Sequence, residues 1–399
     1  MKVKQQFPFQ GIFALTILVY IMLDCRYSLP MNNLLRWICP VLLLVMTAIK
    51  TRMLAIKQDS LYYIILAVFG VSSVYSPYVI YSLQRFFSFV LVTSAYMVYY
   101  TYLHKKQKLE AVLTTIGIQF IIYELCNFVF EDSVNDRARG ITGNSNSLGV
   151  WSNIAFVFAI YFFMKAKYTW GKLGSALLMA ISVITALGSG SRTYTICILL
   201  NIVVALVLLS PRNKRVVYLF FAIVILVVSW GFLEQFVMNL QGIRRLFEQG
   251  TNRDILWEAG VYLWKQHPIR GWGYGTSQKL NNFALLGHLI GEENFGYAFH
   301  NSYLTVLIET GIIGLVAISF YVIHILKKGI SAYLKQRNQE LLIIMILSVN
   351  MLLCFWGGSA MTSVGSTEGF FFWGLLIWID VYANNSQVYN HGGVRKETV

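Results

Sequence analysis

The sequence predicts an all-α polytopic membrane protein of about twelve transmembrane helices. A large extracytoplasmic loop with short amphipathic helices separates the ninth from the tenth. Three observations predict this class. Of 399 residues, 57% are hydrophobic and 13% charged, and the mean hydropathy is +0.59. Soluble domains are about 45–50% apolar and about 25% charged, so a soluble globule of this composition would expose large apolar patches and aggregate. Apolar stretches approaching the roughly 20 residues that a bilayer core demands recur along the chain. The net charge of +14 is unevenly spread, as in membrane proteins whose cytoplasmic loops collect Lys and Arg. Composition thus excludes a soluble enzyme, a disordered chain and a nucleic-acid-binding domain.

The candidate spans fall at about 11–23, 34–49, 61–75, 78–103, 109–130, 146–164, 173–188, 191–209, 216–233, 301–326, 341–356 and 369–383. Pro30, Pro77, Pro211 and Pro268 lie between spans, and Pro40 predicts a kink inside the second. The first span runs into Asp24, Cys25 and Arg26 without a small-residue cleavage site, so it reads as a retained helix rather than a signal peptide. With the N-terminus inside, 20 of the 32 basic residues fall in short clusters at the inside turns. Segment 234–300 then lies outside and is neutral, with six basic and six acidic residues. The expected organisation is spans one to nine in 1–233, the outer loop in 234–300, spans ten to twelve in 301–383 and a tail in 384–399, with both termini cytoplasmic. Five cysteines without a CxxC pair give neither a disulfide framework nor a zinc site, and no GxxxxGK loop points to direct ATP use.

Unusual polar sequence collects on the outer face. Arg137, Arg139, Asn144 and Asn146 belong to a Gly- and Asn-rich stretch leading into the sixth span. It reads equally as a capped helix start and as a loop that contacts an anionic substrate. Arg192 follows Gly188-Ser189-Gly190-Ser191 at the start of the eighth span. It either snorkels to the interface or meets a bulky anion that the glycines let approach. Residues 251–268 read as an interfacial amphipathic helix capped by Asn252 and ended by Pro268. Arg253 is in its first turn, where a cation opposes the helix dipole. An ion pair with Glu258 or a functional role accounts for it. His300 and Asn301 open the tenth span, and Glu309 follows in the same helix. Imidazole is the side chain best suited to proton transfer near neutral pH. Arg85 and Glu124 each lie roughly 10 Å below the outer surface. They either pair with each other, or Arg85 accepts a lipid headgroup.

These pieces resemble the O-antigen ligase and polymerase family of bacterial membrane glycosyltransferases. The likeness is carried by the Arg137–Gly149 loop, the Gly-Ser-Arg turn at Arg192, and the run Arg253, Trp257, His267, Pro268, Gly271, Gly273. A fourth run, His300, Asn301, Leu304, Glu309, Gly311, Gly314, completes the ordered set. The Arg-(x)10-Gly spacing associated with the family's polymerases is absent from the long loop. The resemblance implies a multi-pass protein of the bacterial inner membrane that needs no metal or other cofactor and works on the extracytoplasmic face. It implies a polyprenyl-diphosphate-linked glycan donor, a glycan acceptor, membrane lipids and in some cases a chain-length regulator as partners. Functional weight falls by resemblance on Arg192, Arg253 and His300. The guanidiniums would stabilise the departing diphosphate, His300 would take the acceptor hydroxyl's proton, and Glu258 and Glu309 stand in reserve. A polymerase of lipid-linked repeat units is the first expectation, a ligase to a lipid A core or other acceptor the second, and a transporter or flippase the third.

Overall fold

A computed structural model describes residues 7–26, 30–51, 58–105, 109–130, 132–134, 137–211, 214, 217, 253–289 and 298–391. Apart from Val217, the expected ninth span at 216–233 and residues 234–252 and 290–297 of the outer loop lie outside the described residues. Alternating helix direction follows from short polar links between apolar runs. The elements are α1 (Phe7–Leu23), α2 (Asn32–Thr51), α3 (Ser60–Val74), α4 (Val79–Lys105) and α5 (Leu109–Val129). A two-stranded hairpin, β1 (Ser133–Val134) and β2 (Arg137–Ala138), pairs antiparallel before α6 (Ser145–Lys165), α7 (Thr169–Gly188) and α8 (Arg192–Leu209). Then come α9 (Arg253–Gln266), α10 (Ser277–Leu280), α11 (Phe283–Leu286), α12 (Ser302–Gln336), α13 (Gln339–Cys354) and α14 (Thr367–His391).

Among the described residues, 7 helices are long and apolar enough to cross a membrane, and α1, α3 and α13 carry shorter apolar stretches. Side chains such as Leu173, Leu177, Ile184, Phe87 and Phe320 point outward, which lipid tolerates and water does not. Together these make the chain an all-α integral membrane protein. Pro40 sits inside α2 as expected. The helix of the tenth span continues past 326 to Gln336, and the last helix runs past 383 to His391. Asp59, Asn144, Asn301 and Asn338 cap α3, α6, α12 and α13 through their side-chain oxygens, supplying acceptors to otherwise unbonded first-turn N–H groups.

The most enclosed helices are α6, packed against α5, α7, α8 and α13, and α14, packed against α4, α12 and α13. Trp151, Trp373 and Trp378 fill the main core. A second, smaller core of Leu256, Leu263, Leu280, Leu286, Phe299 and Ile308 fastens α9 to α12. The amphipathic segment expected on the membrane surface docks part of its apolar face, Leu256 and Leu263, on α12, while Ile255 and Tyr262 stay exposed.

At the end of the bundle holding the α3 N-terminus, Lys328 donates to Asp380 Oδ1 at 2.6 Å, Asp59 Oδ2 at 3.1 Å and Asn384 Oδ1 at 2.8 Å. His324 Nε2 lies 2.8 Å from the same Asp59 oxygen. The Asp380 side chain is 0% exposed. Removing one partner of a buried pair typically costs about 3–5 kcal/mol because the other charge is stranded. Lys328→Ala is expected to lower the thermal midpoint of the detergent-solubilised protein clearly, whereas Lys165→Ala, half-exposed between Glu110 and Glu340, lowers it little. Equal losses would mean that the Lys328 network is not the stronger clamp.

Candidate functional site

The opposite end of the bundle gathers α1, α5 and α7 by their C-termini and α6, α8, α12 and α14 by their N-termini. There Arg137 donates from Nε to the Ser189 carbonyl at 2.8 Å and from Nη2 to Asn146 Oδ1 at 3.1 Å. The same Asn146 oxygen accepts from Arg253 Nη2 at 3.3 Å. One carboxamide thus joins the hairpin, α6 and α9. Arg253 also lies within electrostatic range of Arg192, Tyr194 and His300. Burial pulls the Arg253 guanidinium below its ordinary value, with Tyr194 opposing and Arg192 reinforcing the shift. It remains a cation, since arginine does not lose its proton in proteins.

His300 adopts a left-handed backbone with φ 50°, uncommon for a residue with a side chain and of the kind that collects at functional sites. Its neighbours fix it on both sides. Phe299 O accepts from Trp257 Nε1 at 2.9 Å, Asn301 N–H donates to Ser359 Oγ at 3.2 Å, and Asn301 Oδ1 caps Tyr303 and Leu304. Burial, and then the charge of Arg253, push the imidazole down to about 4. The ring is neutral at physiological pH, as a proton acceptor must be.

The two glycine-bearing motifs interlock. α12 is broken at Gly311 (φ 64°, ψ −165°). The break exposes carbonyls of Ile308 and Glu309, which accept from Trp272 N at 2.9 Å and Gly273 N at 2.8 Å. In return Ile312 N donates to Pro268 O at 2.9 Å and Ile313 N to Ile269 O at 3.3 Å. A Cβ on Gly311 would collide with the Ile269 carbonyl, and one on Gly271 with the backbone between Glu309 and Thr310. Glu309 belongs to this lock: its Oε1 accepts from Ser277 Oγ at 2.8 Å.

The other residues singled out by sequence divide. Asn144 and Asn301 spend their side-chain oxygens as helix caps. Arg139 has a buried Nε without a partner among the described residues, while its backbone N–H donates to Asp132 O. The Arg253–Glu258 ion pair does not form: Glu258 is exposed and Arg253 turns to Asn146. Nor do Arg85 and Glu124 pair. Glu124, 1% exposed, accepts from the hydroxyls of Thr185 and Ser152, so two hydroxyl donors on neighbouring helices replace the expected cation. Arg85 instead donates to Tyr81 Oη from Nε and Nη2 at 3.2 and 2.7 Å.

Sequence reasoning missed two acids. Asp24, at the end of α1, and Glu368, in the first turn of α14, interact with each other, and Glu368 interacts with Tyr194. Burial and then Glu368 hold the Asp24 carboxyl well above the usual carboxylate range. Thr367 and Trp151 lie against the Asp24 carboxyl, and the nearby Tyr123 hydroxyl has no hydrogen-bond partner among the described residues. The available signal was position: each acid lies at the same end of its span as His300.

Residues 176–319 match the family model described as O-antigen ligase. The match includes Arg192, Arg253, His300 and Glu309 and leaves out Arg85, Arg137 and Asn146. The chain is also similar to the exopolysaccharide production protein ExoQ of Rhizobium meliloti (strain 1021), at 23% identity over 198 residues. That alignment covers 46% of this chain and 45% of the relative, so the chain spans less than half the length of the curated protein it matches. Both findings support the O-antigen ligase and polymerase family that the motifs resemble.

Proposed function

We propose that this chain, through the family that residues 176–319 match, is a membrane glycosyltransferase of polysaccharide biosynthesis that joins polyprenyl-diphosphate-linked repeat units at the extracytoplasmic face of the inner membrane. The observation that carries this reading is Arg253 beside one neutral, desolvated imidazole, with Arg137 joined to it through Asn146 and Arg192 close enough for its charge to act on it. In the reaction an acceptor sugar hydroxyl attacks the donor anomeric carbon. The new glycosidic C–O bond forms as the bond from that carbon to the diphosphate oxygen breaks. His300 takes the hydroxyl proton, and the electron pair leaves on the polyprenyl diphosphate.

Negative charge grows on that leaving group, and guanidiniums aimed at it favour the transition state over the ground state. The low-polarity surroundings that depress His300 also strengthen each contact. Asp24 and Glu368 offer hydrogen-bond groups to sugar hydroxyls at the same end of the bundle as the cations. Ligation to a different acceptor uses the same chemistry, and the family description favours it as the second reading.

Reconstituted protein given lipid-linked repeat units alone is expected to yield a ladder of chain lengths. A single transfer that requires a second kind of acceptor selects the ligase instead. His300→Ala abolishes transfer in either case while the protein stays folded, and normal polymer in cells carrying it refutes the base assignment.

The pH dependence follows from the depressed imidazole. A free base that protonates only near pH 4 keeps kcat/KM flat through pH 6.5, with the acid limb below pH 5. Residual activity in Arg253→Gln shows the limb moved up toward 6.5, because a repelling charge is gone. Stability carries the same sign: the unfolded histidine binds its proton first, so falling pH below about 6.5 destabilises the fold. An unshifted limb at 6.5 in the unaltered enzyme removes the desolvated base from the mechanism.

A further inference from the structure

A second group of cations lies away from His300. Arg36, on the second turn of α2, donates from Nη1 to the Gly365 carbonyl at 3.2 Å and sits 5.2 Å over the Trp37 ring. Its Nε is buried without a partner among the described residues. Arg85, 5.1 Å over Tyr81, lies close enough for its charge to act on Arg36. Lys279, on α10, places its ammonium 5.4 Å from the same Tyr81 ring. Among the described residues none of the three forms an ion pair. Cations at membrane depth are costly and are ordinarily paired, so Arg36 and Arg85, whose charges act on each other, with Lys279 on the same tyrosine as Arg85 and no carboxylate on any of them among the described residues, call for an anion.

The two cationic groups are joined by one stretch of chain. Ser359 holds the Asn301 N–H next to His300, and Gly365 holds Arg36. Six residues of chain reach at most about 20 Å. We propose that Arg36, Arg85 and Lys279 form a second diphosphate site, which holds the lipid-linked acceptor while the Arg253 group holds the donor. The inference rests on the transferase reading and deepens it. Two lipid-linked substrates are what a polymerase needs, whereas a ligase to a different acceptor has no use for the second. Arg85 keeps Nη1, and Arg36 keeps Nη2, outside the hydrogen bonds given above, which leaves each guanidinium an N–H group for a phosphate oxygen, and Lys279 adds an exposed point charge at the mouth.

Native mass spectrometry of the full chain with polyprenyl diphosphate as the probe tests the site without requiring catalysis. The unaltered protein is expected to bind two lipids, the double variant Arg36→Gln/Arg85→Gln one, and Arg253→Ala one. Two lipids on the double variant, or one on the unaltered protein, overturns the proposal. The lipid retained by the double variant reports that it is folded. If that variant does not fold, Lys279→Gln alone weakens one of the two binding events by about tenfold, and unchanged affinities for both refute the site. Inorganic pyrophosphate distinguishes the sources: competition within threefold of the lipid's own affinity assigns the site to free diphosphate and overturns the lipid assignment. Glycan transfer can fail while the two-lipid count stands, so failure of the transferase reading and failure of this site are told apart.

Discussion

Arg253→Lys is expected to lower glycan transfer about a hundredfold, and Arg253→Ala about a thousandfold, the range seen when one donor to a developing oxyanion is removed. Arg253 is the hub of the cationic group. It shares Asn146 with Arg137 and lies in electrostatic range of Arg192 and His300. Lysine keeps the charge but loses the planar fork that meets two phosphate oxygens at once. The loss should appear in kcat more than in KM, because the contact tightens as charge moves onto the leaving group. Transfer by Arg253→Lys at more than half the normal rate, measured on purified protein with lipid-linked repeats, would show that the guanidinium serves only as a positive charge.

Gly311→Ala is expected to remove most folded, active protein, and Gly271→Ala to do the same. Each glycine has positive φ, which costs a residue with a side chain about 1–2 kcal/mol, and the added methyl meets backbone that has no other course. The substitutions break the same exchange of four hydrogen bonds between α12 and the loop after α9, so the double variant should be no worse than the poorer single one. Gly174→Ala is the control. It lies in α7 with nothing near its missing Cβ, and alanine there is neutral or mildly stabilising. Size-exclusion profiles in detergent separate these outcomes, and a monodisperse, fully active Gly311→Ala protein would dissolve the lock.

Helix positions were legible because hydropathy and proline punctuation follow directly from the bilayer. Asn144 and Asn301 were readable as caps, since their spacing from the first turns is local. The partners of buried charges were not. Arg85 and Glu124 have matched depths, but depth says nothing about which side of a helix faces which neighbour. Thr185 and Ser152, polar residues inside apolar helices, turn out to accept that task for Glu124. The helical character of 253–266 was visible, yet its docking on α12 was hidden, because an apolar face reads the same whether lipid or protein covers it. Gly271 and Gly311 were visible as a pattern without a purpose, since their reciprocal contact joins segments about 40 residues apart. Asp24 was noticed only as the flank of the first span, and its relation to Glu368 spans nearly the whole chain.

The Asn146 carboxamide has a consequence for how an incoming anion is received. Its single oxygen steadies two like-charged groups, at 3.1 Å for Arg137 and a looser 3.3 Å for Arg253. A newcomer that claims Arg253 leaves the first bond intact, and the oxygen keeps a donor. On the proposed reading, capture would need only a small swivel of the Arg253 side chain, with much of the ordering cost that usually erodes affinity already met.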